Sequence, residues 1–161
     1  MGGKVKLANG LSLAYSRGLT AINLREPNWV WRPQPLKAMV LRHGTEAIAV
    51  ARTFPRTIQT VDVAIPVMGI GGVYVDRELR RNGFGRLVIA ATCQRLRDDG
   101  MIAACLFANE TYKWLYKNLG FIEVQPGFMI KPLNDGLTFT ESNSSFPQDS
   151  PPWSLEPDGH F

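Results

Sequence analysis

The first third of the chain alternates between apolar and polar residues, as β-strands with one buried face do. Residues 4–15 alternate on either side of Asn9-Gly10, and residues 39–53 alternate on either side of a turn at His43. An Asn-Gly pair between two such runs is the strongest short signal of a hairpin turn. The pattern predicts two antiparallel hairpins. We interpret His43 as a turn residue, because no neighbouring residue would orient its ring as a catalytic base.

Residues 16–36 interrupt the alternation. This segment can hold one short helix before Pro27, and a Pro-rich stretch with Trp29 and Trp31 follows. The two tryptophans either line a substrate groove or, as is more common for such residues, pack at the edge of the core.

The middle of the chain is typical of a strand, a helix and a second strand. Two strand-like runs lie within residues 61–75, and we expect a bulge or splay at residues 66–69, because Pro cannot donate to a ladder and Gly weakens it. A helix should follow to about Asp99, and a strand at residues 103–107. The residues expected on the buried face of that helix are Leu87, Val88, Ala91 and Leu96. Two parallel strands joined by a helix form a βαβ unit.

The turn between the first of these strands and the helix has the chemistry of an anion site. Gly83 and Gly85 can adopt positive φ and lack a Cβ, so backbone N–H groups can approach a ligand at the start of the helix, where the dipole favours negative charge. Arg80, Arg81 and Arg86 add donors suited to phosphate oxygens. The pattern indicates a pyrophosphate site, with an ordinary turn on a basic face as the alternative. It is neither a Walker loop nor G-x-G-x-x-G.

A second motif follows at residues 109–121. We expect a helix there with Asn109 as its N-cap and with its end near Gly120. The R-x-x-G-x-G motif that starts at Arg80, together with the N-x(6)-Y-x(3)-G-F motif that starts at Asn109, resembles the GCN5-related N-acetyltransferases (GNAT). The resemblance covers roughly residues 38–131.

The resemblance implies a mixed α/β (α+β) fold, the GNAT acyl-CoA N-acyltransferase fold. Its central sheet is mixed and mostly antiparallel, with a splayed parallel strand pair and flanking helices. It also implies direct transfer of an acetyl group from acetyl-CoA to a primary amine, without a covalent enzyme intermediate. The implied cofactor-binding residues are Val73, Tyr74, Val75, Arg80, Arg81, Asn82, Gly83, Phe84, Gly85, Arg86 and Asn109.

The implied catalytic residue is Tyr116, which matches the family position whose phenol protonates or hydrogen-bonds the departing sulfur; its structural alternative is packing on the sheet. Asn109 matches a position that contacts the cofactor arm. A general base is missing, because residues 68–75 contain no carboxylate and Gly71 stands where a Glu is expected. Either water carries the proton to a more distant group such as Asp62, or an acidic tail accepts it.

Charge divides the 161 residues into two parts. Residues 1–131 carry all eighteen Lys and Arg against nine acids (18 − 9 = +9), whereas residues 132–161 carry five acids and no Lys or Arg (−5). We expect an acetyltransferase domain at residues 1–131, with its core motifs at residues 69–121, and an acidic, aromatic tail at residues 132–161. The tail is either unstructured or docked on the body. A polyanionic cofactor explains the basic charge better than nucleic acid does.

Three functions remain open. A small cationic amine, such as an aminoglycoside or a polyamine, is the favoured acceptor because of the acidic tail. A protein, peptide or nucleic-acid-linked amine is the second reading, since the family usually has two helices where residues 16–36 allow one. A CoA-binding module without catalysis is the third. A neighbouring subunit in a homodimer is an alternative source of an acceptor wall.

The remaining expectations concern location and metals. The sequence has no run of eighteen apolar residues and no signal-peptide pattern, so we expect a cytoplasmic protein with no membrane partner. Cys93 and Cys105 have no metal-type spacing, and we interpret both as small core residues rather than ligands.

Overall fold

The computed structural model describes residues 4–17, 37–59 and 62–134. The strands are β1 (Lys4–Lys6), β2 (Leu11–Arg17), β3 (Lys37–His43), β4 (Glu46–Gln59), β5 (Ala64–Val75), β6 (Ala103–Phe107), β7 (Ile122–Gln125) and β8 (Phe128–Pro132). The helices are α1 (Phe84–Asp98) and α2 (Lys113–Asn118), and short 3-10 turns span Ala8–Gly10 and Arg77–Leu79.

The strands form one mixed sheet in the order β1-β2-β3-β4-β5-β6-β8-β7. The pairs β1–β2, β2–β3, β3–β4, β6–β8 and β7–β8 are antiparallel, and β5–β6 is parallel. The predicted fold class is therefore confirmed, including the parallel pair that α1 connects. Placement of β8 between β6 and β7 was not predicted, because strand order depends on contacts that are distant in sequence.

Both N-terminal hairpins form as predicted. Asn9 and Gly10 have φ of 59° and 75°, the left-handed pair that a two-residue hairpin turn favours, and Lys4 pairs with Ala14 across it. The second hairpin turns at Gly44, whose φ is 60°. Residues 18–36, which include the expected helix and both tryptophans, lie outside the described residues.

The chain divides into two compact units. The described residues of the first are 4–17, 37–53 and 72–92. Its core contains Ala38, Val40, Val50 and Tyr74. At its edge the Tyr15 hydroxyl lies 2.7 Å from Thr53 Oγ1, so both buried hydroxyl groups are satisfied.

The described residues of the second unit are 54–59, 62–71 and 93–134. Its core contains Ile58, Val67, Ala103, Cys105, Val124, Phe128 and Ile130. Burial raises the pKa of Cys105 to about 12 and that of Cys93 to about 11, so both thiols stay protonated and unreactive. The prediction that both cysteines are small core residues is confirmed.

Two sequence expectations about β5 and α1 were wrong in detail. Strand β5 is continuous, although we predicted two separate runs. Pro66 does not interrupt it, because this residue is exposed and the φ of proline suits extended backbone. The residue of β5 with left-handed backbone is Gly72, at φ 53°. On α1 the fully buried positions are Val88, Ile89, Thr92, Cys93 and Leu96, whereas Leu87 and Ala91 are half-buried. Thr92 is buried without penalty because its hydroxyl donates to the Val88 carbonyl at 2.6 Å, which a hydrophobic pattern does not reveal.

Within the described ranges, none of the helices has the length and apolar character needed to cross a bilayer.

Candidate functional site

The turn from β5 to α1 is built around Asp76, a residue that sequence reasoning did not select. Its backbone N–H donates to the Ile48 carbonyl at 2.8 Å, and its Oδ1 accepts the Glu78 N–H at 3.1 Å. The side chain is 8% exposed. An Asp that hydrogen-bonds the backbone two residues later is a recognisable turn signal, and here it directs the chain away from the sheet.

The next turn residues have left-handed backbone at two positions. Arg81 and Gly83 have φ of 68° and 79°, so both are left-handed. A Cβ built on Gly83 would meet no atom within 4 Å, which means that the space in front of this backbone is open. Gly85 differs: it lies in the first turn of α1, and its Cβ would make only an ordinary contact of 3.5 Å with Val75.

Helix α1 begins directly after this open space. The Leu87 N–H donates to the Gly83 carbonyl at 3.0 Å, which closes the first helical turn. By helix geometry the N–H groups of Phe84, Gly85 and Arg86 have no intrahelical acceptor. Together with the positive end of the helix dipole, they can bind an anion in front of Gly83.

The three arginines of the turn differ in their contacts with the rest of the protein. Arg80 Nε donates to the Val75 carbonyl at 3.0 Å, and its guanidinium lies 5.3 Å from the centre of the Tyr74 ring. Arg81 and Arg86 are exposed at the surface of the turn. Asn82 is exposed as well, but its Nδ2 donates to the Leu79 carbonyl at 3.0 Å.

A cavity of about 350 Å³ lies on the β-sheet side of the same turn. It is lined by Leu11, His43, Glu46, Ile48, Asp76, Glu78, Leu79 and Phe84. Three carboxylates and no Lys or Arg among these described residues would repel a phosphate. The acidic lining therefore does not suit the phosphates of a cofactor, whereas the face at Gly83 is open, and His43 lies at the end of a strand.

Tyr116 lies on α2 and is half-buried. Its ring meets Phe121 edge-on, with centroids 5.8 Å apart, and burial raises the pKa of its phenol. Among the described residues, its hydroxyl has no hydrogen-bond partner. A phenol in this state stays protonated at neutral pH and has a proton to donate.

The end of α2 fixes this tyrosine. Gly120, at φ 90°, donates to the Lys117 carbonyl at 3.0 Å, and Phe121 donates to the Tyr116 carbonyl at 3.0 Å. These two bonds form a Schellman motif, and the predicted helix end is confirmed. The same motif brings Phe121 against the Tyr116 ring.

Asn109 is not the N-cap that the sequence predicted. Helix α2 begins at Lys113, with Tyr112 in the N-cap position, and Asn109 is exposed four residues earlier. Its carbonyl accepts the Tyr112 N–H at 3.1 Å in a separate turn. The prediction was wrong: the helix starts four residues after Asn109 and its N-cap makes no side-chain hydrogen bond, while ion pairs lie beside its first turn.

Those ion pairs centre on Lys113, which sequence reasoning missed. Its Nζ contacts Glu110 and lies 2.6 Å from Glu123 Oε1 on β7, while Lys117 Nζ lies 3.7 Å from Glu123 Oε2. The hydrogen bond from Lys113 lowers the pKa of Glu123, and that to Glu110 raises the pKa of Lys113. The i, i+3 spacing of Glu110 and Lys113 was the available signal.

The structure places residues 73–86 in the first unit and both Asn109 and Tyr116 in the second. Tyr74 is buried, whereas Val73 and Val75 are half-buried. Strand β5 carries no carboxylate, and Asp62, just before it, is exposed. In the part of the chain that the structure describes, no group of His, Cys, Asp and Glu could hold a metal ion.

Residues 8–121 match the family described as Acetyltransferase (GNAT) family. Among solved structures, the fold is similar to a Tyr-to-Phe mutant of the toxin AtaT bound to the C-terminus of the antitoxin AtaR, at 17% identity over 77% of this chain and 94% of that one, with a TM-score of 0.62. It is also similar to the KacTA–DNA complex, at 14% identity over 75% and 93% of the two chains, with a TM-score of 0.57. A third is YhbS of Escherichia coli in complex with CoA, at 20% identity over 62% and 59%, with a TM-score of 0.52. No curated protein matches the sequence.

Proposed function

The chain belongs to the GNAT acetyltransferase family, and from that premise we propose that it transfers the acetyl group of acetyl-CoA directly to a primary amine, with a small cationic amine as acceptor. It is an acetyl-CoA-dependent N-acetyltransferase. The proposal assigns catalysis to residues 1–131 and help with the acceptor to the acidic residues 132–161. An aminoglycoside or a polyamine has the matching charge.

The observation that carries the proposal is the open, left-handed backbone at Gly83. A side chain there would fill the space that a pyrophosphate needs, and nothing else occupies it among the described residues. We assign the pyrophosphate of acetyl-CoA to the N–H groups at the start of α1 and to the positive charge of the turn. Bound acetyl-CoA supplies an activated thioester acetyl group.

The other proposed cofactor contacts follow from the motif positions. Val73, Tyr74 and Val75 offer the backbone of β5, Arg80–Arg86 form the turn, and Asn109 contacts the cofactor arm. The half-buried state of Val73 and Val75 supports this assignment, since their backbone belongs to a strand that is not fully enclosed.

Tyr116 is the proposed general acid. Its hydroxyl holds the proton that the departing sulfur requires, and its raised pKa keeps that proton in place at neutral pH. The edge-on contact with Phe121 and the Schellman motif orient the ring, so the direction of donation is fixed by packing.

The acceptor amine has to be neutral when it attacks, so its proton has to leave. Because β5 has no carboxylate, we assign this step to water that leads to Asp62 or to the acids of residues 132–161. Both routes end on carboxyl groups of Asp or Glu side chains.

A macromolecular amine is the second candidate acceptor, and two observations favour it. Tyr112 and Trp114 are 53% and 61% exposed, and large exposed aromatic side chains are typical of partner-binding surfaces. Structures with this fold include the toxin AtaT bound to the C-terminus of an antitoxin, and the KacTA–DNA complex. We favour a protein or peptide amine over a nucleic-acid-linked amine. The exposed side chains in question are uncharged aromatics, whereas contacts to nucleic acid are made largely by Lys and Arg.

A CoA-release assay with four acceptor classes tests the proposal: polyamines, aminoglycosides, peptides and aminoacyl-tRNA. We expect turnover with a polyamine or an aminoglycoside. Turnover with peptides or aminoacyl-tRNA alone would establish the second candidate. Binding of acetyl-CoA without turnover in any class would contradict the proposed acceptors while leaving the cofactor site intact.

A further inference from the structure

Arg80 is held by the protein itself. Its Nε donates to the Val75 carbonyl at 3.0 Å, and its guanidinium lies over the Tyr74 ring at 5.3 Å. Tyr74 is 7% exposed and packs in the core with Val40 and Val50, so the surface under the guanidinium is rigid. One hydrogen bond and one cation–π contact therefore set the direction of this side chain.

The other two cations of the turn have no such contacts. All three arginines are exposed, but within the described residues neither Arg81 nor Arg86 makes a hydrogen bond or an ion pair. Their side chains are available to a ligand in front of Gly83. Asn82 behaves like Arg80, because its Nδ2 donates to the carbonyls of Leu79 and Arg80 at 3.0 and 3.3 Å.

The Arg80 contact joins the two ends of the turn. Val75 is the last residue of β5, and the bond from Arg80 closes a loop of six residues. The chain becomes left-handed at the next residue, Arg81, and again at Gly83. Holding Val75 and Arg80 together thus fixes where the left-handed backbone begins.

We infer that Arg80 is a positioning residue that closes the turn through the Val75 carbonyl, and that Arg81 and Arg86 supply the side-chain charge for the pyrophosphate. The inference rests on the proposed acetyl-CoA site and refines it, since the motif alone assigns all three arginines to the ligand.

The chemistry of the two roles differs in a way that substitutions can separate. A phosphate contact needs positive charge, whereas a carbonyl contact needs only an N–H donor. The Nε2 of a Gln is the same number of bonds from Cα as Arg Nε, so Arg80→Gln keeps the donor at the same reach and removes the charge. Arg80→Met keeps the length of the side chain as far as Nε but removes both the donor and the charge, and neither substitution keeps the guanidinium over Tyr74.

The first measurement is the melting temperature of the full chain without ligand. We expect Arg80→Gln to melt close to the parent and Arg80→Met to melt lower, because only Met leaves the Val75 carbonyl without its donor. Equal melting temperatures for the two variants would overturn the positioning role, whatever the chain binds.

The second measurement is calorimetric titration with acetyl-CoA at low and high salt. Arg80→Gln should retain most of the affinity and the parent's salt dependence, while Arg80→Met should lose about fivefold to tenfold, a value typical of one net hydrogen bond. Arg81→Gln and Arg86→Gln should each weaken binding and flatten its salt dependence, because each removes a screened charge contact.

The outcomes separate the inference from the proposed function. If Arg80→Gln weakens binding as much as Arg80→Met and flattens the salt dependence, Arg80 is a phosphate contact and the inference is wrong. If the parent does not bind acetyl-CoA, the proposed function is wrong, and the melting temperatures alone decide the role of Arg80.

Discussion

The starts of α1 and α2 are held in opposite ways, and the contrast supports our proposal that an anion binds at the start of α1. Helix α1 follows a left-handed glycine with open space in front of it, and Arg81 and Arg86 beside it are exposed. At α2, Lys113 is already paired with Glu110 and Glu123. A charged side chain that is paired within the protein stabilises the helix. Backbone N–H donors and charged side chains without a partner in the protein are available to a ligand.

The strongest way to break this contrast is to fill the space at Gly83. We expect Gly83→Val to abolish the stabilisation of the protein by acetyl-CoA, because a side chain would block the approach of the pyrophosphate to the backbone. In the parent that stabilisation should reach about 2.7 kcal/mol at a ligand concentration one hundred times Kd. Thermal melts with and without acetyl-CoA measure it.

Gly100→Val is the matched control. Gly100 follows the other end of α1, has φ of 83°, and likewise has no atom within 4 Å of a built Cβ. Both variants should lose stability from left-handed strain, of about 1–2 kcal/mol each. Only Gly83→Val should lose the response to acetyl-CoA; an intact response in that variant would place the cofactor elsewhere.

Replacing Tyr116 tests whether the region at α2 contributes to the rate of acetyl transfer instead of to the binding of acetyl-CoA. We expect Tyr116→Phe to lower kcat by about 10² to 10⁴ with nearly unchanged acetyl-CoA affinity, because the ring and its contact with Phe121 remain while the proton donor is lost. Since the phenol pKa is raised above its ordinary value of 10, loss of the Tyr116 proton should lower the rate of the parent only above pH 10. An unchanged kcat would assign Tyr116 to packing.

Shortening the chain tests whether use of the acceptor amine depends on residues outside the starts of α1 and α2. Leu133 is buried and its N–H donates to the Ile102 carbonyl at 2.8 Å, so the truncation should follow Asn134 instead of removing β8. We expect a loss in kcat/KM for a cationic amine, with little change in acetyl-CoA affinity.

A full-length variant with the five acids of residues 135–161 replaced by Asn or Gln separates charge from the aromatic residues of the segment. If charge attracts the acceptor, this variant should behave like the truncated chain. Equal kcat/KM for all three forms, with each checked for dimerisation, would show that the segment does not contribute.

The smallest expected effect is on the ion pairs of α2. Because the pKa of Glu123 is lowered in the folded state, its stabilising contribution is present above its ordinary pKa of 4.5 and is lost as pH falls through the folded value. Glu123→Gln should therefore melt slightly lower than the parent at pH 7 and equally at low pH. Glu110→Gln is the control. The side chain of Glu110 is more exposed than that of Glu123, so the loss of its ion pair with Lys113 should lower the melting temperature even less.

Sequence reasoning succeeded where structure depends on neighbours along the chain. The Asn9-Gly10 hairpin, the left-handed Gly83 and the end of α2 at Gly120 each follow from the conformational freedom of one or two residues. It failed at the start of α2, where Glu123 of a later strand pairs with Lys113. Contacts between distant parts of the chain decide such features.

The site shows the same division. The R-x-x-G-x-G pattern predicts an anion-binding turn, but it does not separate Arg80, which bonds to the backbone, from Arg81 and Arg86, which do not. It also omits Asp76, whose buried side chain directs the turn. A motif specifies residue types and spacing, whereas the direction of each side chain depends on what it packs against.

Amide hydrogen exchange at the start of α1 tests the central claim most directly. With acetyl-CoA bound, we predict slower exchange of the N–H groups of Phe84, Gly85 and Arg86, because the pyrophosphate accepts their hydrogen bonds. S-acetylpantetheine, which lacks the pyrophosphate, should not produce this protection. Protection elsewhere in the chain with unchanged exchange at these three amides would contradict the claim that this turn binds the cofactor.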